Sequence, residues 1–301
     1  MELIREFFSD YTLQIVLIGS AILGFSAGTV GTFALLKGKG LLGDMVSHAS
    51  LPGIVLAFLF TGIKDTEVLL LGALMTGLLS VIFLEILKKY TKLKYDSLLA
   101  IILSGFFGIG ITLLTYVQKI PNANQAGLDK FIFGQASTLV KKDVSIISIV
   151  SIICLTMIIL FWKEIKLYIF DEEYAITQGF HKSVIEMIIS FMMIMIIIVG
   201  LQTVGAILIS SLLIAPGVAS RQWTDKLSIM VVLSGVFGII GGVSGTIISS
   251  AYDKMPTGPL IVVIMTIIAL FSIVFSPKRG ILFRNKKLKR DREIFCVEGG
   301  E

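Results

Sequence analysis

Asp44 and His48 stand four residues apart in the run Gly43-Asp-Met-Val-Ser-His-Ala-Ser-Leu-Pro-Gly53, within a stretch otherwise suited to hydrocarbon. On a helix that spacing brings a carboxylate and an imidazole onto one face. The two donor types together suit borderline divalent ions such as zinc, manganese or ferrous iron. Pro52 has no N–H to give the His48 carbonyl, so a kink is expected beside the pair; Pro216-Gly217 interrupts a later apolar stretch in a similar way and marks a second expected kink. An ionisable side chain at the bilayer centre costs about 2.5–3.5 kcal/mol on insertion scales, so such groups face a bundle interior or a solute route. The competing reading is local: Asp44 pairs near the start of its helix and His48 bonds to a neighbouring span. At ~1.5 Å per residue, a helix starting at Leu41 puts Asp44 only a turn or so inside the membrane.

A third acid, Asp253, follows Ser249, Ser250 and Tyr252 and precedes Met255-Pro-Thr-Gly-Pro259. At the outer end of a span it is placed to meet an arriving cation; as a loop residue it is an ordinary solvated aspartate. His181, between Phe180 and Lys182, reads as solvated. Phe170-Asp-Glu-Glu-Tyr-Ala-Ile-Thr-Gln-Gly179 is a short amphipathic stretch stopped by glycine, long enough for one helix. Such a stretch either docks a partner or lies in the membrane interface.

The elements that must position these residues follow from composition. The chain is 55% hydrophobic and 16% charged over 301 residues, against roughly 25% charged residues in soluble domains. Apolar segments lie at about 11–36, 41–60, 68–87, 95–117, 142–162, 184–200, 203–219, 227–248 and 257–276, each near the ~20 residues that cross hydrocarbon as a helix. The expected fold is an all-α, polytopic membrane bundle of eight or nine spans, eight if one segment is re-entrant. Gly200-Leu-Gln-Thr-Val-Gly205 is the expected tight turn between the sixth and seventh segments. With an external N-terminus, nineteen of the 26 lysines and arginines fall inside, as the positive-inside rule requires. The acidic start of the chain reads as part of a retained first span and not as a signal peptide. A permease domain over 1–276, with a cytoplasmic segment at 163–183, is followed by a basic cytoplasmic tail over 277–301. The tail is assigned only inner-surface electrostatics. The net charge of +5 belongs to span ends, so nucleic acid is not an expected partner. Cys154 and Cys296 have no metal-ligand or disulfide spacing. Gly105, Gly108, Gly110, Gly235, Gly238, Gly241, Gly242 and Gly245 sit at or near helical spacing and are expected to let spans pack closely.

Three separated motifs then carry a resemblance: Gly43 to Gly53; Val204-Gly-Ala-Ile-Leu-Ile-Ser-Ser-Leu-Leu-Ile-Ala-Pro-Gly-Val-Ala-Ser-Arg221; and Asp253 with Pro256-Thr-Gly-Pro259. In that order, over roughly residues 11–276, the chain resembles the permease subunit of the ABC-3 family of bacterial manganese, zinc or iron importers. The resemblance implies a type II-like importer in the bacterial cell membrane with its C-terminus cytoplasmic. Its implied partners are two cytosolic ATPases, a second permease copy or paralogue, and an extracytoplasmic metal-binding protein. It implies no permanently bound cofactor, the divalent metal being substrate. It also implies that Asp44, His48 and Asp253 belong to the metal route and its gate, and that Phe170, Asp171, Glu172, Ala175 and Gly179 belong to the segment inserted into the ATPase. Independently, no Gly-x-x-x-x-Gly-Lys-[Ser/Thr] phosphate loop occurs, so nucleotide hydrolysis is assigned to another subunit. Two other classes compete: a permease for metal chelates, with a wider and less ionic passage, and an intramembrane metalloenzyme, which lacks a His-Glu-x-x-His and a second buried histidine.

Overall fold

In lipid every backbone N–H and C=O must be satisfied within the segment, which leaves apolar runs of this length no option but helix. A computed structural model of the chain describes residues 11–62, 65–119, 134, 136, 139–252 and 255–283. The helices are α1 (Tyr11–Leu36), α2 (Gly40–Ala49), α3 (Leu51–Thr61), α4 (Thr66–Tyr90), α5 (Tyr95–Gln118), α6 (Lys141–Leu160), α7 (Trp162–Phe170), α8 (Glu172–Thr177), α9 (Lys182–Thr203), α10 (Ile209–Trp223), α11 (Leu227–Ala251) and α12 (Thr257–Phe275). Among the described residues there are 8 candidate spans, with α2 and α3 together forming one of them.

The segment expected at 203–219 is the exception. It forms α10, of 15 residues, short of the ~20 that cross hydrocarbon. The turn expected over Gly200 to Gly205 is confined to the end of that stretch. Gly200 stays inside α9, where its missing side chain admits Ile209. The reversal instead begins at Gly205, whose φ of 88° suits glycine. Helix α10 therefore starts near Leu23, at the middle of α1, and runs along α1 until Gly217 meets Thr32 and Leu35.

Ion pairs show which helix ends lie together. Lys37 meets Glu172, Lys39 and Lys88 meet Glu186, and Asp225 meets Arg279 and Lys278, all at what we call the basic end. Asp65 and Glu67 meet Lys142 at the far end. The Ser276 hydroxyl also donates to the Gln222 carbonyl, so the first residues after α12 are pinned to the α10–α11 turn. Arg279 holds the Asp225 carboxyl below its ordinary range.

The core is built around α1, which packs along α11 through small residues. A Cβ at Gly24 would strike the Gly238 carbonyl, one at Gly28 the Ser234 carbonyl, and one at Gly242 the Ser20 carbonyl. Four-residue spacing on both helices keeps these contacts on one antiparallel seam. Polar groups close it: the Ser234 hydroxyl donates to the Gly28 carbonyl at 2.7 Å, and Thr246 to Ser20 at 3.1 Å. This is the close backbone approach that holds helices together where burial from water contributes little. Gly105 and Gly108 of α5 depart from the packing expected of them, since a Cβ at either would meet nothing within 4 Å.

Candidate functional site

Helix α2 is sided. Leu42, Met45, Val46 and Ala49 are buried, and Gly40 and Gly43 let it approach Ile214 and Ser210 of α10. Leu41, Asp44 and His48, at spacings of three and four, make the other face, where Leu41 is exposed and the Asp44 side chain is 39% exposed. His48 Nε2 lies 3.5 Å from Asp44 Oδ1. Its ring meets Phe107 of α5 edge-on, with centroids 4.8 Å apart. The other imidazole nitrogen, Nδ1, is buried and has no hydrogen-bond partner among the described residues, which is costly unless something else binds it. A small cavity lined by His48, Leu51, Phe107, Leu201 and Ala206 lies beside it.

The helical hydrogen-bond ladder is interrupted here, although Ser50 keeps helical φ and ψ. Ser50 separates α2 from α3, Pro52 lies in the first turn of α3, and the Ser50 hydroxyl donates to the Val46 carbonyl at 2.7 Å. Pro216, in contrast, sits inside α10 without ending it. Axially, Asp44 is about 6 Å and His48 about 12 Å from the start of α2 at the basic end.

Asp44 and His48 offer two donors, whereas zinc takes four and manganese more. No group of three or more His, Cys, Asp or Glu side chains that could hold an ion occurs among the described residues. Asp253 lies outside the described residues. Its neighbour Ser249 donates to the Met255 carbonyl at 2.7 Å and shares a hydrogen bond with Thr257 at 2.9 Å, tying the end of α11 to the start of α12.

Within Phe170 to Gly179 the one expected helix forms as α8, but it begins only after Asp171 and leaves Phe170 in α7. Phe170 ends α7, Asp171 breaks the chain and caps α8 by accepting the Tyr174 N–H at 2.9 Å, and Gly179 at φ 88° stops it. The physical reason is the side chain of Asp171, which satisfies an N–H left open at a helix start. The Phe180 N–H to Ala175 carbonyl bond, with Gly179 to Ile176, closes the end as a Schellman motif. Ala175 is buried, while Phe170, Tyr174 and Ile176 are exposed. Glu172 is held by Lys37 at 3.0 Å and Lys182 at 2.5 Å, and the two ammonium groups keep its carboxyl below the ordinary range. His181 is exposed at the N-cap of α9.

Sequence reasoning missed two participants. Phe107 carried no signal, being one apolar residue among many. Glu186 did carry one: it is an acid within the apolar run 184–200, yet its side chain is only 13% exposed.

The comparisons with known proteins agree over nearly the whole chain. Residues 9–276 match the ABC 3 transport family. The zinc transport system membrane protein TroC of Treponema pallidum is 45% identical over 290 residues, covering 96% of this chain and 97% of TroC. The manganese transport system membrane protein MntC of Bacillus subtilis is 40% identical over 279 residues, 93% of this chain and 64% of MntC. Among solved structures, PsaBC from Streptococcus pneumoniae, in complex with Fab, aligns with a TM-score of 0.83 at 30% identity, covering 96% of this chain and 99% of that one. An inward-facing, putative metal-chelate type ABC transporter shares the fold alone, with a TM-score of 0.66 at 13% identity. With a family match spanning its helices and near-equal length to TroC, the chain belongs to the ABC 3 transport family, as a membrane permease subunit and not an enzyme.

Proposed function

We propose that this permease carries divalent metal ions, of the zinc, manganese or iron type, inward across a bacterial cell membrane, and that Asp44 and His48 line the passage. The observation that carries the reading is the His48 imidazole, in contact with Asp44 through one nitrogen and with the other buried and unpartnered. A carboxylate and an imidazole bind such ions while leaving coordination positions open for exchange, which a closed four-ligand cage does not. The names of TroC and MntC, zinc and manganese transport system membrane proteins, support the ion class. An ionic donor pair also favours the free ion over a chelate.

The partial exposure of Asp44 bears on the partners. Facing acyl chains, that carboxylate costs kilocalories; facing a second permease, copy or paralogue, it lines a passage between the two. The basic end is then cytoplasmic, by its lysines and arginines, and so is the end of α12. The exposed Phe170, Tyr174 and Ile176 suit docking into one of two cytosolic ATPases, and an extracytoplasmic metal-binding protein delivers the ion at the far end. Asp253, by family resemblance, is assigned to the outer gate. The test is uptake of manganese and zinc by the assembled importer in proteoliposomes. Asp44→Ala and His48→Ala should each abolish uptake with normal yield of folded complex, and full uptake by both would overturn the reading.

A further inference from the structure

At the basic end, seven charged side chains, from the turn that leads into α2 and from α4, α8 and α9, gather around that turn. Helix α1 closes as a Schellman motif: the Gly38 N–H bonds the Leu35 carbonyl, Lys39 N–H the Ala34 carbonyl, and Gly38 takes φ 65°. The turn is therefore a single left-handed residue between two lysines, and each lysine is tethered. Lys37 reaches Glu172 of α8 at 3.0 Å and lies 3.6 Å above the Tyr168 ring of α7. Lys39, one residue before α2, reaches Glu186 of α9 at 3.3 Å. Glu186 also accepts the Tyr168 hydroxyl at 2.7 Å and pairs with Lys88 of α4 at 3.6 Å, and Lys88 in turn meets Glu85. Lys182 closes the ring onto Glu172.

Exposed ion pairs contribute little, but these are not loose surface contacts. The side chains of Lys37, Lys39 and Glu186 are 15%, 10% and 13% exposed. The Glu172 side chain is 35% exposed, so removing Lys37 leaves a solvated carboxylate, whereas removing Glu172, or either partner of the Lys39–Glu186 pair, strands a charge away from water. Their geometry is also directional. Helix α8 is short, capped at both ends and tied to α1 through Lys37; from Lys39 a rigid helix runs to Asp44 and His48.

We propose that Lys37 and Glu172 are the positioning pair that carries movement of the ATPase-facing segment into α2, and with it the Asp44–His48 face. This rests on the functional reading above, in which 170–179 meets the ATPase and α2 lines the passage. A displaced α8 draws on Lys37 through the Glu172 carboxylate, and α7 draws on the same ammonium through the Tyr168 ring. Lys39, anchored to Glu186, transmits the displacement to the first turn of α2 and does not let the turn flex at Gly38.

The test measures manganese taken up per ATP hydrolysed by the intact importer in proteoliposomes, at equal amounts of assembled complex. Lys37→Met and Glu172→Gln should hydrolyse ATP yet lower that ratio by about fivefold or more, the lower bound of typical coupling between distant sites. The exchanged pair, Lys37→Glu with Glu172→Lys, should regain part of it. A second readout tolerates poor yield: in a Cys296→Ser background, a Leu41→Cys thiol should change its reactivity toward a membrane-impermeant maleimide when ATP binds, and should stop responding in Lys37→Met. An unchanged uptake ratio in both single variants, or an unchanged thiol response, overturns the pair while the parent reading stands. A wild-type importer that moves no manganese, zinc or iron, or whose Tyr174→Cys variant cannot be crosslinked to the ATPase, overturns both.

Discussion

Helices α5 and α11 have the same kind of glycine and hydroxyl spacing, and the bundle uses them oppositely. On α11, Ser234, Gly238 and Gly242 are buried against Gly28, Gly24 and Ser20 of α1. On α5, Ser104, Gly105, Gly108, Thr112 and Thr115 point away from the chain. The open face of α5 also carries the bulky Ile101, with Ile109, Ile111 and Tyr116 at its edges, but it mixes them with small residues, whereas α4 shows Leu71, Met75, Leu79, Ile82 and Phe83. Small residues on an outward helix face suit close approach by another backbone, whereas acyl chains are met well by bulky apolar side chains. The same helix touches His48 through Phe107. The difference teaches that a glycine stripe reports a packed seam without saying whether the partner is in the same chain. For α11 the partner is α1; for α5 the proposed partner is the second permease.

The largest effect that sharpens this contrast belongs to the filled seam. Gly238→Val sets a branched side chain against the Gly24 carbonyl, with backbone on both sides and no flexible tip to give way. Overpacking costs about 1–3 kcal/mol in ordinary cores and more where only backbone can move. Thermal unfolding in detergent should therefore show loss of at least about 3 kcal/mol, or no folded protein at all. A variant as stable as the wild type would mean that the seam is not closed in the membrane.

Next comes the open face. Gly108→Leu meets nothing within the chain and replaces a poor helix former with a good one. The isolated permease should keep its stability within about 0.5 kcal/mol or gain slightly. Metal uptake and permease–permease crosslinking should nonetheless fall by about tenfold, since overpacking of 1–3 kcal/mol now falls at the interface between chains. If uptake and crosslinking survive unchanged, α5 faces lipid and the contrast with α11 loses its meaning.

Much of this was legible in the sequence, for reasons that differ between elements. The long spans were, because the bilayer fixes their length and composition; α1, α4, α5, α6, α11 and α12 lie close to where the apolar runs put them. Helix α10 was less so, since hydropathy counts apolar residues and cannot tell a crossing from a half-length helix whose turn is buried inside the bundle. The Asp44–His48 pairing was visible from spacing alone, and the structure sets the two side chains 3.5 Å apart. The lysine tethers were not, because Lys37 and Lys39 are far in sequence from Glu172 and Glu186, and local charge patterns reveal neither burial nor partner. Glu186 inside an apolar run was the one clue available.

The smallest effect tests whether the tethers at the basic end differ from ordinary surface pairs, and pH is the means. Lys182 and Lys37 hold the Glu172 carboxyl below its ordinary range, so the folded state favours the ionised form and stability from this group is present above the unfolded value of about 4.3. It is lost as pH falls through the lower folded value. Neighbouring Tyr168 is pushed the other way by burial and by its bond to Glu186, so its hydroxyl remains a donor throughout. Asp171 and Glu173 flank Glu172 in wild type and variant alike. The stability difference between wild type and Glu172→Gln should therefore be flat between about pH 6 and 8 and shrink only below the ordinary carboxylate range. With the Glu172 side chain 35% exposed, solvent screening limits the difference to about 0.2–1 kcal/mol. A difference that grows on acidification would mean that Glu172 is destabilising where it stands, and the Lys37–Tyr168 contact would then tie the end of α1 to α7 and not to α8.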